Sequence, residues 1–461
     1  MNTMEFCAGV ARINITPETS IWMSGYSYRD RPSEAAVHPL WAKALAIEDR
    51  NKTRIVIVTT DLIGLPREIT DLVSTRVQQE YGIERSRIMF NSTHTHSGPI
   101  VWPNLMTMFN LRRRDERVVV EYSRRLGEDL FSVIGAALAD LAPAQLSHGF
   151  GKAHFAVNRR ERTPEGVRIG INPIGPVDSQ VPILRILSEA GRLRAVVFGY
   201  ACHNTASTGR SYQLSGDYAG FAQIELEKRH PGATAMFIML CGGDQNPNPR
   251  GSIELAWSHG KTLVAEVNRV LGTVLSPVSS PIQTAFENIQ LNFAPHKRQT
   301  FENELEDADP ARVRRANAML RAYDEFRPVH QIRYPIQALR FGSDFTILAL
   351  GGEVVVAYSL RVKKEYPGNL VVAAYSNDVM SYIPSRRVLQ EGGYEAVDSM
   401  IFYGLPGPYA DNVEDRVLDG LDAVMRRVGM CRKAPGNEAG SVDGTDRGLP
   451  PVSDQEPCQP L

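Results

Sequence analysis

Arg54-Ile-Val-Ile-Val-Thr-Thr-Asp61 is the stretch of sequence that decides the fold class. Its run of β-branched residues is typical of a buried strand. Pro66 then begins a helical pattern that continues to about Tyr81 and stops at Gly82, and proline is well placed in a first helical turn. Arg87-Ile-Met-Phe-Asn91 is a second short strand. A strand, a helix and a strand in succession indicate a βαβ unit and an α/β fold.

Strands and helices continue to alternate downstream, so we expect one domain over residues 1–432, with a mixed β-sheet core and flanking helices. From about residue 433 to 461, Gly, Pro, Ser, Asp and Glu dominate, which predicts a disordered tail. The predicted strands are 181–186 and 193–200, joined as a hairpin, together with 233–240, 346–350 and 370–374; the predicted helices are 218–229, 354–365 and a charged surface helix or helical insertion at 302–326.

The composition is that of an ordinary globular protein, with 43% hydrophobic and 22% charged residues. With 51 basic and 52 acidic residues the net charge is −1, which argues against a nucleic-acid partner or an anionic membrane surface. The five cysteines form no CxxC pair, and such a count favours a reducing compartment. Neither a signal peptide nor an apolar run of about 20 residues is visible. We therefore expect a soluble cytoplasmic protein without stable membrane association, for which a homo-oligomer is possible.

Polar side chains follow the C-terminal ends of several predicted buried strands. In open α/β sheets the ligand site lies at these strand ends. We therefore expect five such residues to converge on one site, namely His94, His203, Asp244, Glu353 and Asn377.

Each of these signals is weak when it is considered alone. His94-Thr-His96 in a loop is often only a hydrogen-bonded pair of histidines, although its place after a strand and before Ser-Gly-Pro favours a functional site. His203 alone would more often be a satisfied core histidine. Glu353 alone would equally suit the start of a helix, where the dipole favours an acid. Their significance depends on whether they have partners.

Together these segments resemble the neutral/alkaline (non-lysosomal) ceramidase family of zinc amidases, from about Gly9 to the 420s, which is that family's catalytic domain. Three segments resemble the family's metal loops: Thr93-His-Thr-His-Ser-Gly-Pro99 is similar to the first metal loop, Tyr200-Ala-Cys-His203 to the loop of the second zinc histidine, and Leu350-Gly-Gly-Glu353 to the loop of the zinc carboxylate. Asn158-Arg159 is similar to a segment with an active-site arginine. Tyr382 and Tyr394 keep the twelve-residue spacing of the family's zinc-binding tyrosine and its second active-site tyrosine.

The resemblance implies that Zn²⁺ is bound by four side chains, His94, His203, Glu353 and Tyr382. Nitrogen and oxygen ligands suit zinc, and a catalytic zinc site keeps a position for water, whose pKa falls to about 7. That activated water would attack an amide carbonyl. The residues implied to bind the developing oxyanion and to help protonate the leaving amine are His96, Arg159 and Tyr394.

One segment departs from the family pattern. Where the family has a serine in a Gly-Asp-x-Ser-Pro-Asn segment, this chain has Asn246 in Gly243-Asp-Gln-Asn-Pro-Asn248. Asparagine cannot act as a nucleophile, so a serine acyl-enzyme route is excluded at this position. Asn246 is expected either to donate a hydrogen bond to the substrate or to shape a turn with Pro247.

We therefore predict a zinc-dependent hydrolase that cleaves an amide of the N-acyl amine type. The family's ceramide hydrolases are commonly secreted or membrane-anchored and carry a C-terminal β-sandwich domain, and neither feature is expected here, so a small soluble amide is favoured over membrane ceramide. Two alternatives remain: a zinc hydrolase of an ester or a cyclic amide, and a non-catalytic metal-binding protein. The presence of all four proposed ligands argues against the second.

Overall fold

The structure is a computed structural model that describes residues 4–433. In chain order the strands are β1 (Phe6–Asn14), β2 (Ala35–Ala36), β3 (Trp41–Asp49), β4 (Arg54–Thr60), β5 (Ile88–Ser92), β6 (Ala142–Lys152), β7 (Ala156–Thr163), β8 (Gly166–Asn172), β9 (Gln180–Ser188), β10 (Leu193–Tyr200), β11 (Gln213–Leu214), β12 (Thr234–Met239), β13 (Gln245–Pro247), β14 (Ser276–Pro277), β15 (Ile282–Asn292), β16 (Gln331–Phe341), β17 (Phe345–Leu350), β18 (Glu353–Val354), β19 (Asn369–Ala373) and β20 (Tyr382–Ile383). The helices are α1 (Arg67–Tyr81), α2 (Arg113–Ala139), α3 (Asp217–Arg229), α4 (Ile253–Leu271), α5 (Arg298–Asn303), α6 (Pro310–Asp324), α7 (Val356–Glu365), α8 (Arg386–Glu391) and α9 (Val413–Arg427).

Two mixed sheets form the core of the protein. The larger sheet has the order β12-β10-β9-β6-β1-β3-β4-β5, with β14 beside β6, and the smaller has the order β15-β16-β17-β19. Parallel pairing occurs for β4 with β5, β10 with β12, and β17 with β19, whereas the other pairs in these sheets are antiparallel. The predicted mixed β-sheet core with flanking helices is therefore confirmed.

Alternating side chains of each strand reach two different cores. Leu45 and Ile57 of the larger sheet share a buried cluster with Leu339 and Ile347 of the smaller sheet, so the two sheets pack face to face. Ala44 and Val56 point the other way, into a cluster with residues of α1 and α2. The outer face of the smaller sheet packs against α7 and α9. Because successive residues of a strand alternate between faces, strands buried on both sides read as continuous apolar runs.

The βαβ unit predicted from residues 54–91 is present. β4 and β5 are parallel neighbours joined by α1. Pro66 directly precedes α1, and Gly82 ends it in the left-handed conformation, at φ 67°, with its amide donating to the Gln78 carbonyl. The predicted hairpin of β9 and β10 is also confirmed.

The longest helix, α2, is not among the predicted elements, although its buried Tyr122, Leu126 and Val133 keep helical spacing. The charged stretch 302–326 is not one helix but the end of α5 and the whole of α6, and the Asp309 side chain caps α6. The expected tail, 433–461, lies outside the described residues except for Lys433. Between residues 4 and 433, no helix combines the length and apolar character needed to cross a membrane.

Candidate active site

The candidate site lies where the two sheets meet. His94 and His203 follow β5 and β10 of the larger sheet, and Glu353 follows β17 of the smaller one. β18 pairs in parallel with β20 so that Glu353 lies directly opposite Tyr382. Opposed residues of a parallel pair lie on the same face of the sheet, so the Glu353 carboxylate and the Tyr382 hydroxyl project to the same side. A bridge between Asn91 and Ser376 joins the two sheets beside the site.

Three histidines present the same nitrogen to the centre of the site. The Nδ1 atoms of His94, His96 and His203 lie 2.6, 3.0 and 2.8 Å from the carbonyl oxygens of Ile63, Gly25 and Gly242. A carbonyl oxygen can only accept a hydrogen bond, so each Nδ1 carries the proton and each Nε2 keeps its lone pair. Burial lowers the pKa of His203 to about 3, in keeping with a neutral ring.

The Nε2 atoms converge with a carboxylate. His96 Nε2 lies 3.0 Å from His94 Nε2, and Glu353 Oε2 lies 3.0 Å from His94 Nε2 and 3.1 Å from His203 Nε2. The ligand atoms of the three histidines all lie within 4.8 Å of one another. Lone pairs that face each other need a cation between them, and neutral imidazoles with one carboxylate are a donor set that zinc accepts. The arrangement therefore fits a metal ion, and His96, assigned above to substrate, lies as close to the centre as the proposed ligands.

Two tyrosines that the sequence did not single out hold the carboxylate. Tyr403 donates to Glu353 Oε1 at 2.5 Å, and Tyr375 donates to Oε2 at 3.4 Å. Burial raises the pKa of both phenols well above their usual value, so both remain donors. Tyr375 lies two residues after the end of β19, which was a usable signal. Tyr403 lies in a loop, and nothing in the sequence pattern indicates its role.

Arg159 lies beside the cluster and is fixed by a buried acid. Its Nε donates to Glu395 at 2.7 Å, and its Nη2 donates to the Tyr382 hydroxyl at 3.0 Å. Its Nη1 lies 3.1 Å from His203 Nε2. Burial alone would lower the pKa of Arg159, but Tyr382 and Glu395 outweigh burial and raise it well above its usual value. Glu395, to which no role was assigned above, thus holds a permanent cation at the site.

Tyr394 and Asn246 complete the group around Arg159. The Tyr394 ring packs edge-on against Tyr382 with 5.4 Å between the ring centres, and Arg159 lies 5.6 Å from the centre of the Tyr394 ring. Asn246 lies on β13, next to the strand that carries Arg159, and its Oδ1 accepts a long bond of 3.4 Å from Arg159 Nη1. All eight residues assigned to the site from sequence therefore lie together.

Two of the five residues that were expected at the site because they follow predicted strands do not face the cluster. Asp244 accepts hydrogen bonds from the Val356 amide and from Asn158, and it therefore holds backbone in place. Asn377 accepts from the Phe90 amide and donates to Gln337. The expectation that all five strand-end residues converge is wrong for these two, because a strand end that meets a second sheet must also satisfy buried backbone groups.

Asp217 supports both histidine loops from behind. It is fully buried at a positive φ of 52°, and its carboxylate accepts from the amides of Ala206 and Ser207, just after His203. Two residues before it, the Ser215 carbonyl accepts from the Thr95 hydroxyl in the other histidine loop. The αL conformation is uncommon for a residue with a side chain, so this turn is defined by the contacts around it.

The fold and the cluster define a class of protein. It is an α/β/β/α arrangement whose histidine–carboxylate centre lies between the ends of two sheets and offers ligands that suit a metal ion. The chain belongs to the neutral/alkaline non-lysosomal ceramidase family, whose N-terminal region it matches over residues 6–262. The family resemblance noted in the sequence is thereby confirmed.

Individual relatives agree with this family. The chain is 24% identical over 250 residues to the neutral ceramidase of Mycobacterium tuberculosis, a match that covers 50% of this chain and only 38% of the relative. The structure of the Pseudomonas aeruginosa neutral ceramidase is similar with a TM-score of 0.70 and 19% identity, over 92% of this chain and 75% of the other. A ceramidase structure described as complexed with C2 gives a TM-score of 0.71 at 18% identity, over 94% and 77% of the two chains. At these identities, the solved structures establish the likeness of the fold.

Proposed function

We propose that this protein is a zinc-dependent hydrolase that cleaves a linear amide of the N-acyl amine type. The observation that carries the proposal is the convergence of three imidazole lone pairs and the Glu353 carboxylate beside a fixed arginine. We propose His94, His203, Glu353 and Tyr382 as the ligands. Bound there, zinc would supply a Lewis acid and would lower the pKa of a water molecule towards neutrality.

The other side chains supply a fixed polar environment for the reacting amide. Arg159 carries a permanent charge, and Glu395 and Tyr382 fix its orientation, so it is suited to stabilise a developing oxyanion. Burial raises the pKa of Tyr394 well above its usual value, which keeps its hydroxyl a donor towards the carbonyl or the leaving amine. His96 Nε2 is an acceptor that faces the same space.

We propose a small soluble amide, rather than membrane ceramide, as the substrate. His94, His203 and Glu353 are buried, whereas His96 and Tyr394 are the half-buried members of the group, so substrate approaches on their side. The balanced charge of the chain adds no electrostatic attraction for an anionic membrane.

Metal analysis and an activity panel test this function together. Purified protein is assayed on N-acyl amines and matched esters, with and without chelator, before and after zinc is added back. We expect about one zinc per chain and hydrolysis of the amides that chelator removes and zinc restores.

Substitutions assign the activity to the cluster. His94→Ala and Glu353→Ala are expected to abolish hydrolysis and zinc retention, whereas His154→Ala, at an exposed histidine, should change neither. Less than about 0.2 zinc per chain, without recovery on adding zinc, would contradict the metalloenzyme. Cleavage of the esters with no detectable cleavage of the amides would contradict the amide specificity.

A further inference from the structure

We propose that the substrate of this site carries a carboxylate, which binds to a basic rim formed by the exposed Arg210 and Arg250 beside His96, with the buried Arg29 behind it. The inference rests on the proposed amide hydrolysis and specifies its substrate class. Three features support it: a buried arginine without an acidic partner, two exposed arginines on the adjoining loops, and nearby acids that are already engaged.

Arg29 places an uncompensated charge directly behind His96. Its Nη1 donates to the carbonyls of Ser24 and His96, at 2.5 and 2.8 Å, and its Nη2 donates to the Ser211 carbonyl at 3.4 Å. Its Nε has no hydrogen-bond partner, and within residues 4–433 no carboxylate lies within 4.0 Å of its guanidinium. Burial accordingly lowers the pKa of Arg29, to about 10. A buried cation that is held by carbonyl dipoles and by the Tyr26 ring, whose centre lies 5.0 Å from the guanidinium carbon, but by no carboxylate among the described residues, is costly, and an anion nearby would offset that cost.

Arg250 extends this positive region to the loop that follows Asn246. Its Nη1 donates to the Thr205 hydroxyl, two residues after His203, at 3.4 Å. His259 holds the neighbouring Pro249 carbonyl at 2.7 Å, which fixes the loop. The Arg250 side chain is exposed and, in the part of the chain described, makes no ion pair within 4.0 Å. Its guanidinium is therefore available to a ligand.

Arg210 lies on the loop that packs against the same wall. The neighbouring Gly209 sits so close to Tyr26 and Tyr28 that a Cβ there would lie 2.5 Å from one ring and 2.6 Å from the hydroxyl of the other. Tyr26 donates to the Ser207 carbonyl, and its ring packs edge-on against His96 with 5.2 Å between ring centres. These contacts hold the exposed Arg210 near the approach to His96.

The acids in this region already accept hydrogen bonds from other groups, although Arg250 opposes the effect of burial on the pKa of Asp217. The Asp217 carboxylate is fully buried and accepts from the amides of Ala206 and Ser207, and burial raises its pKa to about 6. Asp30 accepts from the Tyr212 hydroxyl at 2.7 Å. A planar carboxylate matches the donor geometry of guanidinium groups. On another side of Arg159, Tyr394 packs near Phe402 with 6.4 Å between ring centres, which suits an apolar acyl chain.

Matched amides test the inference. N-hexanoylglycine is compared with N-hexanoylglycinamide, and N-butylsuccinamate with N-butylsuccinamide, so that each pair differs in one charge, on either side of the scissile bond. The release of hexanoate or butylamine is measured with the zinc-loaded protein. We expect kcat/KM to be about tenfold higher for the charged amide than for the neutral amide in at least one pair. We also expect this ratio to fall as salt is added, because salt screens the attraction between the arginines and the carboxylate.

Substitutions of the two exposed arginines test whether these side chains cause the preference for a carboxylate. Arg250→Gln and Arg210→Gln should raise KM for the preferred carboxylate about tenfold and leave its neutral partner unchanged. Arg192→Gln, at an exposed arginine in the β9–β10 turn, should alter neither. Equal kcat/KM within both pairs, or equal losses for both members in the variants, would overturn the carboxylate inference while leaving amide hydrolysis standing. Failure to cleave any of the four amides would instead count against the proposed function itself.

Discussion

The chemistry of the three histidines at the site depends on which ring nitrogen faces the centre. Backbone carbonyls of Ile63, Gly25 and Gly242 hold the Nδ1 protons, so the Nε2 atoms of all three rings are acceptors. The histidines themselves were recognisable from the motif positions. The three carbonyls were not, because each belongs to a loop that is distant in sequence from its histidine or carries no motif of its own. The same is true of the two tyrosines that hold Glu353.

Tyr403→Phe tests the support of the metal carboxylate. The substitution removes a short hydrogen bond to Glu353 Oε1 and leaves the ring in place. Because partners of a ligating side chain orient it, we expect zinc affinity to fall about 10- to 100-fold. Tyr334→Phe is the control. Among residues 4–433 the buried Tyr334 hydroxyl has no hydrogen-bond partner, so its loss should lower neither zinc affinity nor stability. Unchanged zinc affinity in Tyr403→Phe, measured by competition with a chelating dye, would refute this role.

Asn246→Ala tests whether the residue at the family's serine position is needed for catalysis. Its bond to Arg159 is long, 3.4 Å, and Arg159 keeps its shorter bonds to Glu395 and Tyr382. The loss of one weak bond to a charged group costs about 1 kcal/mol, so we expect kcat to fall about fivefold. An Asn246→Ala variant as inactive as His94→Ala would require the roles at this site to be reassigned. Steady-state kinetics on one amide decides between the two outcomes.

Short elements do much of the positioning at the site. The two-residue pairing of β18 with β20 sets Glu353 opposite Tyr382, and β13 places Asn246 beside the strand of Arg159. Strands this short have too few residues to show a period of two, so the sequence predicts none of these three strands. The longer elements were predictable, because α1 carries its own stop signal at Gly82 and β4 is an unbroken apolar run.

Gly82→Ala tests the stop signal of α1. A Cβ at Gly82 would meet nothing within 4 Å, so the only cost is the positive φ of 67°, about 1 kcal/mol. Gly272→Ala is the matched control, because Gly272 also ends a helix but at φ −80°, and its nearest contact would be an ordinary 3.4 Å. We expect a lower urea midpoint for Gly82→Ala, and an equal or higher one for Gly272→Ala. Equal midpoints would show that this cap does not depend on glycine.

On the scale of the whole molecule, the site exists because two sheets that pack face to face are joined at their ends above a shared core. Asn91 makes this junction: its Oδ1 accepts from the Met239 amide at 2.8 Å, and its Nδ2 donates to the Ala374 carbonyl at 2.7 Å. Met239 belongs to the larger sheet and Ala374 follows the last strand of the smaller one. This amide side chain thus acts together with backbone hydrogen bonds across the junction, such as that from the Ala374 amide to the Met239 carbonyl, to hold the histidine loops near the loop of Glu353.

Asn91→Ala tests this coupling between the sheets. The substitution leaves the buried Met239 amide without its acceptor, at a cost of about 1–3 kcal/mol, and removes one of the two donors to the Ala374 carbonyl, which keeps the Ser376 hydroxyl. We expect both lower stability and weaker zinc binding, because His94 and Glu353 are no longer held at a fixed separation. Leu45→Ala, in the core between the sheets, should destabilise by about 2–5 kcal/mol without a comparable loss of zinc affinity. Parallel losses of zinc affinity in the two variants would mean that general destabilisation explains the effect.

The sequence by itself determined the α/β class, the βαβ unit at residues 54–91, the family, and the eight residues that now lie together around Glu353. These features depend on local periodicity and on motifs of a few residues, which a linear chain displays. Only the tertiary structure decided which strand-end residues face the cluster, that His96 joins it, and that Tyr375, Tyr403, Glu395 and Asp217 support it. The physical reason is that these contacts join loops far apart in the chain, and packing between two sheets, rather than any local pattern, fixes their geometry.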